Sequence, residues 1–464
     1  MQKTCLILIL TALLASCQPT HIDLQSRVEL PTAYTHAKIK TDHPAIQAWW
    51  DSWQDPQLSK LIQQGLAKNY DITIAKSKLS EARAIAKLAH ASLFPIVSGV
   101  GNTGKAHLDV EQLNVTPQAM VAGLNVSWEP DIFGQKQSDS DAAQAATLIL
   151  QEQIYGAQLL VSSEIAHYYL NALYTQKQQA LLRKTQTTLE HLKRYVKGRF
   201  QAGHTTYYEV TEVASQLQML QAKASTLQAQ FDTYQRAIAV LINQPVQTFK
   251  LNMAHMSQVD VLTHLPAAPQ GTQPSDLLTQ RPDIRAKAAS VQLRAAKLAS
   301  AKADLLPRFT LQFLWQTGRI ELDSDLPTLH AWQNLVSAGI QLPIFTAGRI
   351  NANIQAADAR LQQALLEYDK TLLNALKEVE NRYQSQFALT HQHQILKQTL
   401  ALKQQQAIDS QTLFRYGEYT FDRALKTRLE SFKIEESLLE NQLTKANNLI
   451  LLYNALGFGW QTEK

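Results

Sequence analysis

The sequence holds only two cysteines, Cys5 and Cys17, in 464 residues. That excludes a disulfide-rich scaffold and a cysteine zinc site. Proline and glycine are scarce, at 15 and 16 residues, and fall mainly at a few junctions, which is the profile of long helices. No run approaches the ~20 apolar residues that a membrane-spanning helix needs. The formal net charge is +5, with basic residues scattered among acidic ones, so no nucleic-acid partner is expected. Chemistry is missing too. No nucleophile elbow and no convergent His/Asp/Glu set is present, and His391 and His393 stand two apart on a helix, where they face different ways. Gly99-Val-Gly101-Asn-Thr-Gly104 spells a dinucleotide fingerprint, but it follows Pro95 and opens no helix, so it reads as a strand. Neither an enzyme nor a cofactor or metal is expected.

The N-terminus has the order of an export signal: Met1-Gln-Lys3, an apolar run from Leu6 to Leu14, then Leu14-Ala15-Ser16-Cys17. Small residues ahead of a cysteine resemble the bacterial lipoprotein signal, in which residues 1–16 are removed and Cys17 is acylated as the new N-terminus. The other reading is a plain cleavable signal ending near Ala15. Gln18, where Asp would retain a lipoprotein in the inner membrane, resembles outer-membrane sorting. With residues 1–16 removed, Cys17 is the one cysteine left and the chain can form no internal disulfide.

The chain contains itself twice. Phe200-Gln-Ala-Gly203-His-Thr-Thr206-Tyr207 returns 214 positions later as Phe414-Arg-Tyr-Gly417-Glu-Tyr-Thr420-Phe421. Leu93-Phe-Pro95, Asp71-Ile72 and Ile132-Phe133 return 212 positions later as Leu305-Leu-Pro307, Asp283-Ile284 and Ile344-Phe345. A period this long means two similar halves rather than a solenoid. In the first half, helical periodicity covers Leu58 to Lys68, Asp71 to Phe94, about Lys136 to Phe200, and about 205–243. The third of these would be about 98 Å long at 1.5 Å per residue. The second half repeats them from about Asp283 to Leu306, from about Arg349 to Arg415, and on to about Leu456. Two short helices end to end match one long helix, which predicts a long, thin, mainly α body.

Between the helices the period changes to two. Met120, Ala122, Leu124, Val126 and Trp128 alternate with Val121, Gly123, Asn125 and Ser127; Phe309, Leu311, Phe313 and Trp315 alternate with Thr310, Gln312 and Gln316; Val336, Ala338, Ile340 and Leu342 form a third run. A partner for the first lies around 96–107, and the intervening segments, about 108–118 and the one carrying Asp323, Asp325 and Pro327, read as loops. Such strands suit a membrane, one face to lipid and one to water. Four cannot close a pore alone, because open edges in lipid leave backbone groups unsatisfied, so other subunits must complete them.

Together these landmarks resemble the TolC-type outer-membrane efflux factors, in their lipoprotein branch. The matching residues run from Trp49-Trp50 and Asp55-Pro56, through Arg281-Pro282-Asp283-Ile284 and Leu342-Pro343-Ile344-Phe345 with Gly348-Arg349, to Tyr453 and Ala455-Leu456-Gly457. The resemblance implies a mainly α fold with a small membrane β-barrel: a long α-helical barrel plus four membrane strands per subunit, internally duplicated and closed only as a homotrimer. It implies a passive exit duct for drugs or other small solutes, docked to a periplasmic adaptor and an inner-membrane pump of the RND type. A duct for secreted polypeptides and a lipid-anchored periplasmic scaffold without a pore are the rival readings. The expected organisation is a signal peptide (1–16), a lipid-anchored arm (17–48), a first repeat (49–246, hairpin 96–130), a linker (247–275), a second repeat (276–460, hairpin 308–342) and a tail (461–464).

The resemblance places Gly203 and Thr206, with Gly417 and Thr420, at the periplasmic tip where the adaptor docks. Just past the turns, Glu209 and Glu212 share one helix face, and Arg423 and Lys426 share another. The family often carries acidic residues at the second-half positions as a constriction ring; here they are basic. The four are candidate gate charges, against the plainer reading of a solvated helix face. Mass spectrometry of the mature protein is expected to show an acylated Cys17 as its first residue; a free N-terminus at Gln18, or one upstream of Cys17, would contradict the lipoprotein reading.

Overall fold

The computed structural model describes residues 27–35, 48–105, 108–110, 113–115, 118–258, 261–321 and 328–460. Cys17, most of the 17–48 arm, the segment with Asp323, Asp325 and Pro327, and the 461–464 tail lie outside them. The helices α1 (Pro56–Lys68) and α2 (Tyr70–Ala91) precede strands β1 (Ile96–Lys105), β2 (Leu108–Val110), β3 (Leu113–Val115) and β4 (Gln118–Trp128). Helices α3 (Gln135–Gln201), α4 (Tyr207–Leu241), α5 (Met253–Gln258), α6 (Leu277–Gln280) and α7 (Pro282–Ala303) follow. Strands β5 (Arg308–Glu321) and β6 (Leu329–Gln341) and helices α8 (Arg349–Arg415) and α9 (Phe421–Ala455) complete the order.

The duplication is visible in the element lengths. α2 and α7 each have 22 residues, α3 and α8 each 67, α4 and α9 each 35. The long helices persist because nothing breaks them: α8 contains no glycine or proline, and α3 only Gly156 and Gly198. Three expectations need correction. The 108–118 segment is not a plain loop, since β2 and β3 pair there antiparallel as a small sheet of their own. The 212-residue offset of Ile132-Phe133 and Ile344-Phe345 does not mark structural equivalence at the strand-to-helix turn. Gly134 and Gly348, 214 apart, share the left-handed conformation (φ +75° and +80°) that opens α3 and α8, and the second turn is one residue longer after its proline. α2 and α7 also stop at Ala91 and Ala303, and a short turn covers the residues before Pro95 and Pro307.

The chain divides into two compact units, each drawing on both halves. One contains Lys78–Gln151 and Ala286–Asp369. Its centre is a four-stranded antiparallel sheet in the order β1-β4-β5-β6. The roots of the strands are tied to helix ends. Trp128 Nε1 donates to the Leu93 carbonyl (2.9 Å), Lys136 Nζ to those of Ser92 and Glu129 (3.1 Å each), and Asp304 accepts from Gln135 (2.7 Å) and Arg308 (2.6 Å).

The other unit contains Val28–Ser77, Glu152–Arg285 and Lys370–Lys464. The sequence motifs find their reasons here. Trp49 and Trp50 are fully buried, and Trp49 stacks on Tyr453 at 5.1 Å between centroids. Arg281 binds Asp283 (2.8 Å), Glu378 (3.0 Å) and the Ala455 carbonyl (2.8 Å), so the start of α7 is fastened to α8 and to the end of α9. In the arm, Tyr34 is buried against Tyr383 at 5.6 Å.

Asp55 is a hub. Its side chain is 0% exposed and caps α1 by accepting from the N–H groups of Gln57 (2.9 Å) and Leu58 (3.2 Å), with Pro56 pre-set for the first turn. The same carboxylate accepts from the Tyr169 hydroxyl of α3 (2.6 Å) and meets His255 Nε2 of α5 at 2.9 Å. Burial beside that carboxylate pushes the Tyr169 phenol well above its ordinary value, so it stays a donor. Asp55→Ala removes the cap and orphans a buried hydroxyl, an expected loss of about 2–5 kcal/mol in denaturant unfolding followed by circular dichroism, with Asp55→Asn losing less. A change under about 0.5 kcal/mol would show that the hub carries no stability.

Candidate functional site

The register sorts the strand residues onto two faces, because residues paired across strands share a face. One row runs Val97, Val126, Phe313, Val336; the next runs Gly99, Leu124, Trp315, Asn334; below lie Trp128, Leu311 and Ala338. Apart from Asn334 these rows are apolar, and they are bare within one chain: Val336 is 77% exposed and Ile340 70%. The charges of this face, Lys105, Arg319 and Glu321, come only at the end remote from the helices. The opposite face carries Ser98, Asn125, Leu314 and Leu335 in one row and Ser127, Gln312 and Ser337 in another.

Glycines show which way the sheet curves. A Cβ on Gly123 would stand 2.1 Å from the Trp315 carbonyl oxygen, and one on Gly318 2.1 Å from that of Met120, both on the polar face. At Gly99 and Gly101, on the apolar face, a Cβ would meet nothing within 4 Å. Gly104, on the polar face of edge strand β1, meets nothing within 4 Å either, so the crowding belongs to the β4–β5 pair, which closes toward the polar side as a barrel wall with a wet interior requires.

The two predicted helix turns are built alike. Gly203 and Gly417 have φ of +76° and +79°, a conformation that a side chain disfavours. At the first, Gly203 N–H bonds to the Phe200 carbonyl (3.0 Å) and His204 N–H to that of Arg199 (2.8 Å). At the second, Gly417 N–H bonds to Phe414 (3.0 Å) and Glu418 N–H to Leu413 (2.9 Å). Both are Schellman ends. Thr206 and Thr420 occupy the N-cap positions of α4 and α9 with extended backbone, but neither side chain makes a capping hydrogen bond. A ring staples each turn: Phe200 on Tyr207 (5.5 Å) and Phe414 on Phe421 (4.9 Å). The turns share a core in which Leu189, Leu192 and Val196 of α3 meet Val213 and Leu217 of α4 and Leu425 of α9.

The candidate gate charges separate into two settings. Glu209 and Glu212 line a cleft of about 610 Å³ between α4 and α9, and Lys426 lines the same cleft. Arg423 does not; its guanidinium lies 3.8 Å over the Tyr419 ring. Among the described residues none of the four forms an ion pair with another. Lys426 reaches Asp422 (3.8 Å), which also meets Arg199 of α3 (3.5 Å), and Lys223 of α4 pairs with Glu436 of α9. Sequence reasoning passed over Asp422 and Arg199. The i,i+4 spacing of Asp422 and Lys426 was a readable signal, whereas nothing local announces a contact between residues 199 and 422.

The model of the family "Outer membrane efflux protein" matches residues 61–244 and 273–458, both halves of the chain. This chain belongs to the outer membrane efflux protein family. Its relatives include the pyoverdine export outer membrane protein OpmQ of Pseudomonas aeruginosa, 26% identical over 97% of this chain and 96% of that one. The probable outer membrane lipoprotein SilC of Salmonella typhimurium is 25% identical over 90% of each. The solved outer-membrane channel OprN superposes with a TM-score of 0.80 at 22% identity, covering 95% of this chain and all of that one, which shows the shared fold. The efflux protein is thus an outer-membrane component of an efflux system. No described helix is long and apolar enough to span a bilayer. His393, one of the two histidines that the sequence set aside, is held below its ordinary pKa by burial and by the Lys445 ammonium.

Proposed function

We propose that three copies of this chain close one twelve-stranded barrel and provide the passive outer-membrane exit of a tripartite pump for drugs or other small solutes. One observation carries the reading: a four-stranded sheet, apolar outside and polar inside, whose edge strands β1 and β6 each have a partner on one side only among the described residues. In hydrocarbon those free edges need partners, and further copies of the same sheet supply them. Acylated Cys17 anchors the N-terminal arm to the membrane, in line with a relative named as a lipoprotein. The arm runs over 17–48, the repeats over 49–246 and 276–460, with the linker at 247–275. A periplasmic adaptor reads the turns at Gly203, Thr206, Gly417 and Thr420, and an inner-membrane pump of the RND type supplies the energy. The protein itself carries out no chemistry. Detergent-solubilised protein is expected at about three times the mass of the lipidated chain; a stable monomer with native helix content would contradict the shared barrel.

Glu209, Glu212, Arg423 and Lys426 act in this reading as charges that bias the tip between closed and open. The setting of Lys426, beside two glutamates and paired to Asp422, supports this. Exposed pairs contribute only about 0–1 kcal/mol each, so the effect rests on three copies acting on a two-state tip. Lys426→Glu adds a like charge to the cleft that holds Glu209 and Glu212, and Arg423→Glu reverses the charge beside Tyr419; the pair is expected to raise single-channel conductance, and Glu209→Lys with Glu212→Lys in the same background to lower it again. Unchanged conductance and salt dependence in the first variant would make the four residues a solvated face.

A further inference from the structure

We infer that the membrane-crossing part of the lumen is an uncharged carboxamide passage that does not select solutes by charge sign, with Asn125, Gln312, Gln316 and Gln333 as the residues that set this property. The inference rests on the trimeric-channel reading and adds to it the class of solute that the barrel admits: cations, anions and neutral molecules alike, provided that their polar groups can exchange hydrogen bonds with amides.

The four residues lie on the polar, concave face of the sheet. Gln312 Nε2 donates to Asn125 Oδ1 (3.1 Å), bridging β5 and β4, and Gln316 Nε2 donates to Gln333 Oε1 (2.9 Å), bridging β5 and β6. The amides thus form two tiers, one toward the helix end of the strands and one near their middle. Each amide keeps further donor and acceptor capacity for water or a passing solute. The remaining described positions of this face are hydroxyl, carboxamide, apolar or glycine. No carboxylate, ammonium or guanidinium stands on it from Thr310 to Gly318, or on the residues paired with that stretch. The first charge toward the helices is Arg308, and Asp304 neutralises it at 2.6 Å. Lys105, Arg319 and Glu321 alternate onto the outer face.

This distribution has an electrostatic consequence. A ring of like charges in a low-dielectric wall focuses the field and concentrates counter-ions; an uncharged ring does neither. Charge selection by the whole channel then falls to its charged parts elsewhere, the candidate tip residues among them. The barrel contributes a polar surface on which a solute's hydrogen bonds are replaced one at a time.

The cysteine content makes a direct test available. Once residues 1–16 are removed and Cys17 is acylated, an introduced cysteine is the sole thiol. Gln316→Cys, and independently Gln312→Cys in the other tier, would be placed in planar bilayers and exposed to two methanethiosulfonate reagents, one bearing a trimethylammonium and one a sulfonate. Both reagents are expected to change the conductance in steps. Their rates, each divided by its rate with a free thiol in solution, should agree within about threefold, where a charged ring would separate them by tenfold or more. Leu124→Cys, on the opposite face, should react with neither. A normalised ratio beyond about tenfold at both tiers would overturn the uncharged passage, and reaction at Leu124→Cys as fast as at Gln316→Cys would overturn the assignment of faces. A wild-type protein that reconstitutes as a trimer but never conducts would instead overturn the channel reading beneath it.

Discussion

Backbone hydrogen bonding at the margins of the sheet constrains the rest of this molecule. Within one chain, β4 and β5 are paired on both sides, while β1 and β6 each present a row of N–H and C=O groups with no partner among the described residues. In water such an edge is a hazard; in hydrocarbon it is untenable, since each unsatisfied group costs several kcal/mol. The two faces of the sheet already presuppose that the edges are closed. The apolar rows make sense only against lipid, and the polar rows only around water. Glycine at 123 and 318 permits the curvature that separates them.

Internal duplication gives this architecture economically. The same helix, hairpin, long helix, turn and return helix occur twice, with matching lengths down to the residue in three pairs of helices. Yet the compact units cut across the repeats, because what packs together is the strand end of both halves in one case and the turn end of both in the other. Differences between the halves mark places where duplication has been relaxed. One is the extra residue ahead of Gly348. Another is the charge at the two helix starts, acidic at 209 and 212 and basic at 423 and 426.

Much of this was legible in the sequence for identifiable reasons. Long helices show as long intervals without Gly or Pro, and the approximate bounds Arg349 and Arg415 coincide with those of α8, where a left-handed glycine stands directly outside one end and one residue beyond the other. The strands showed through a strict period of two, which survives because one face is apolar and the other is not. What was missed has a physical pattern as well. β2 and β3 are three residues each, too short for any period to register. The Asp55 hub joins residues 55, 169 and 255, and the link between Arg199 and Asp422 spans more than two hundred positions. Such contacts are made by the fold and leave no local trace. Thr206 and Thr420 stand at the N-cap positions of α4 and α9, yet their hydroxyls make no capping hydrogen bond, which no sequence pattern signals.

The claim at the centre of this account is that the free edges of β1 and β6 are closed by other copies of the chain. Paired cysteines across that seam test it most directly, since the mature chain offers no competing thiol besides lipidated Cys17. With one cysteine at Val100 in β1 and a second moved in turn through 337–341 in β6, oxidation in the membrane followed by denaturing electrophoresis should give covalent dimers and trimers. The ladder should end at three and be strongest at one register, with neighbouring positions weak. Monomer at every position, or a ladder that continues past three copies, would contradict a barrel shared by three chains.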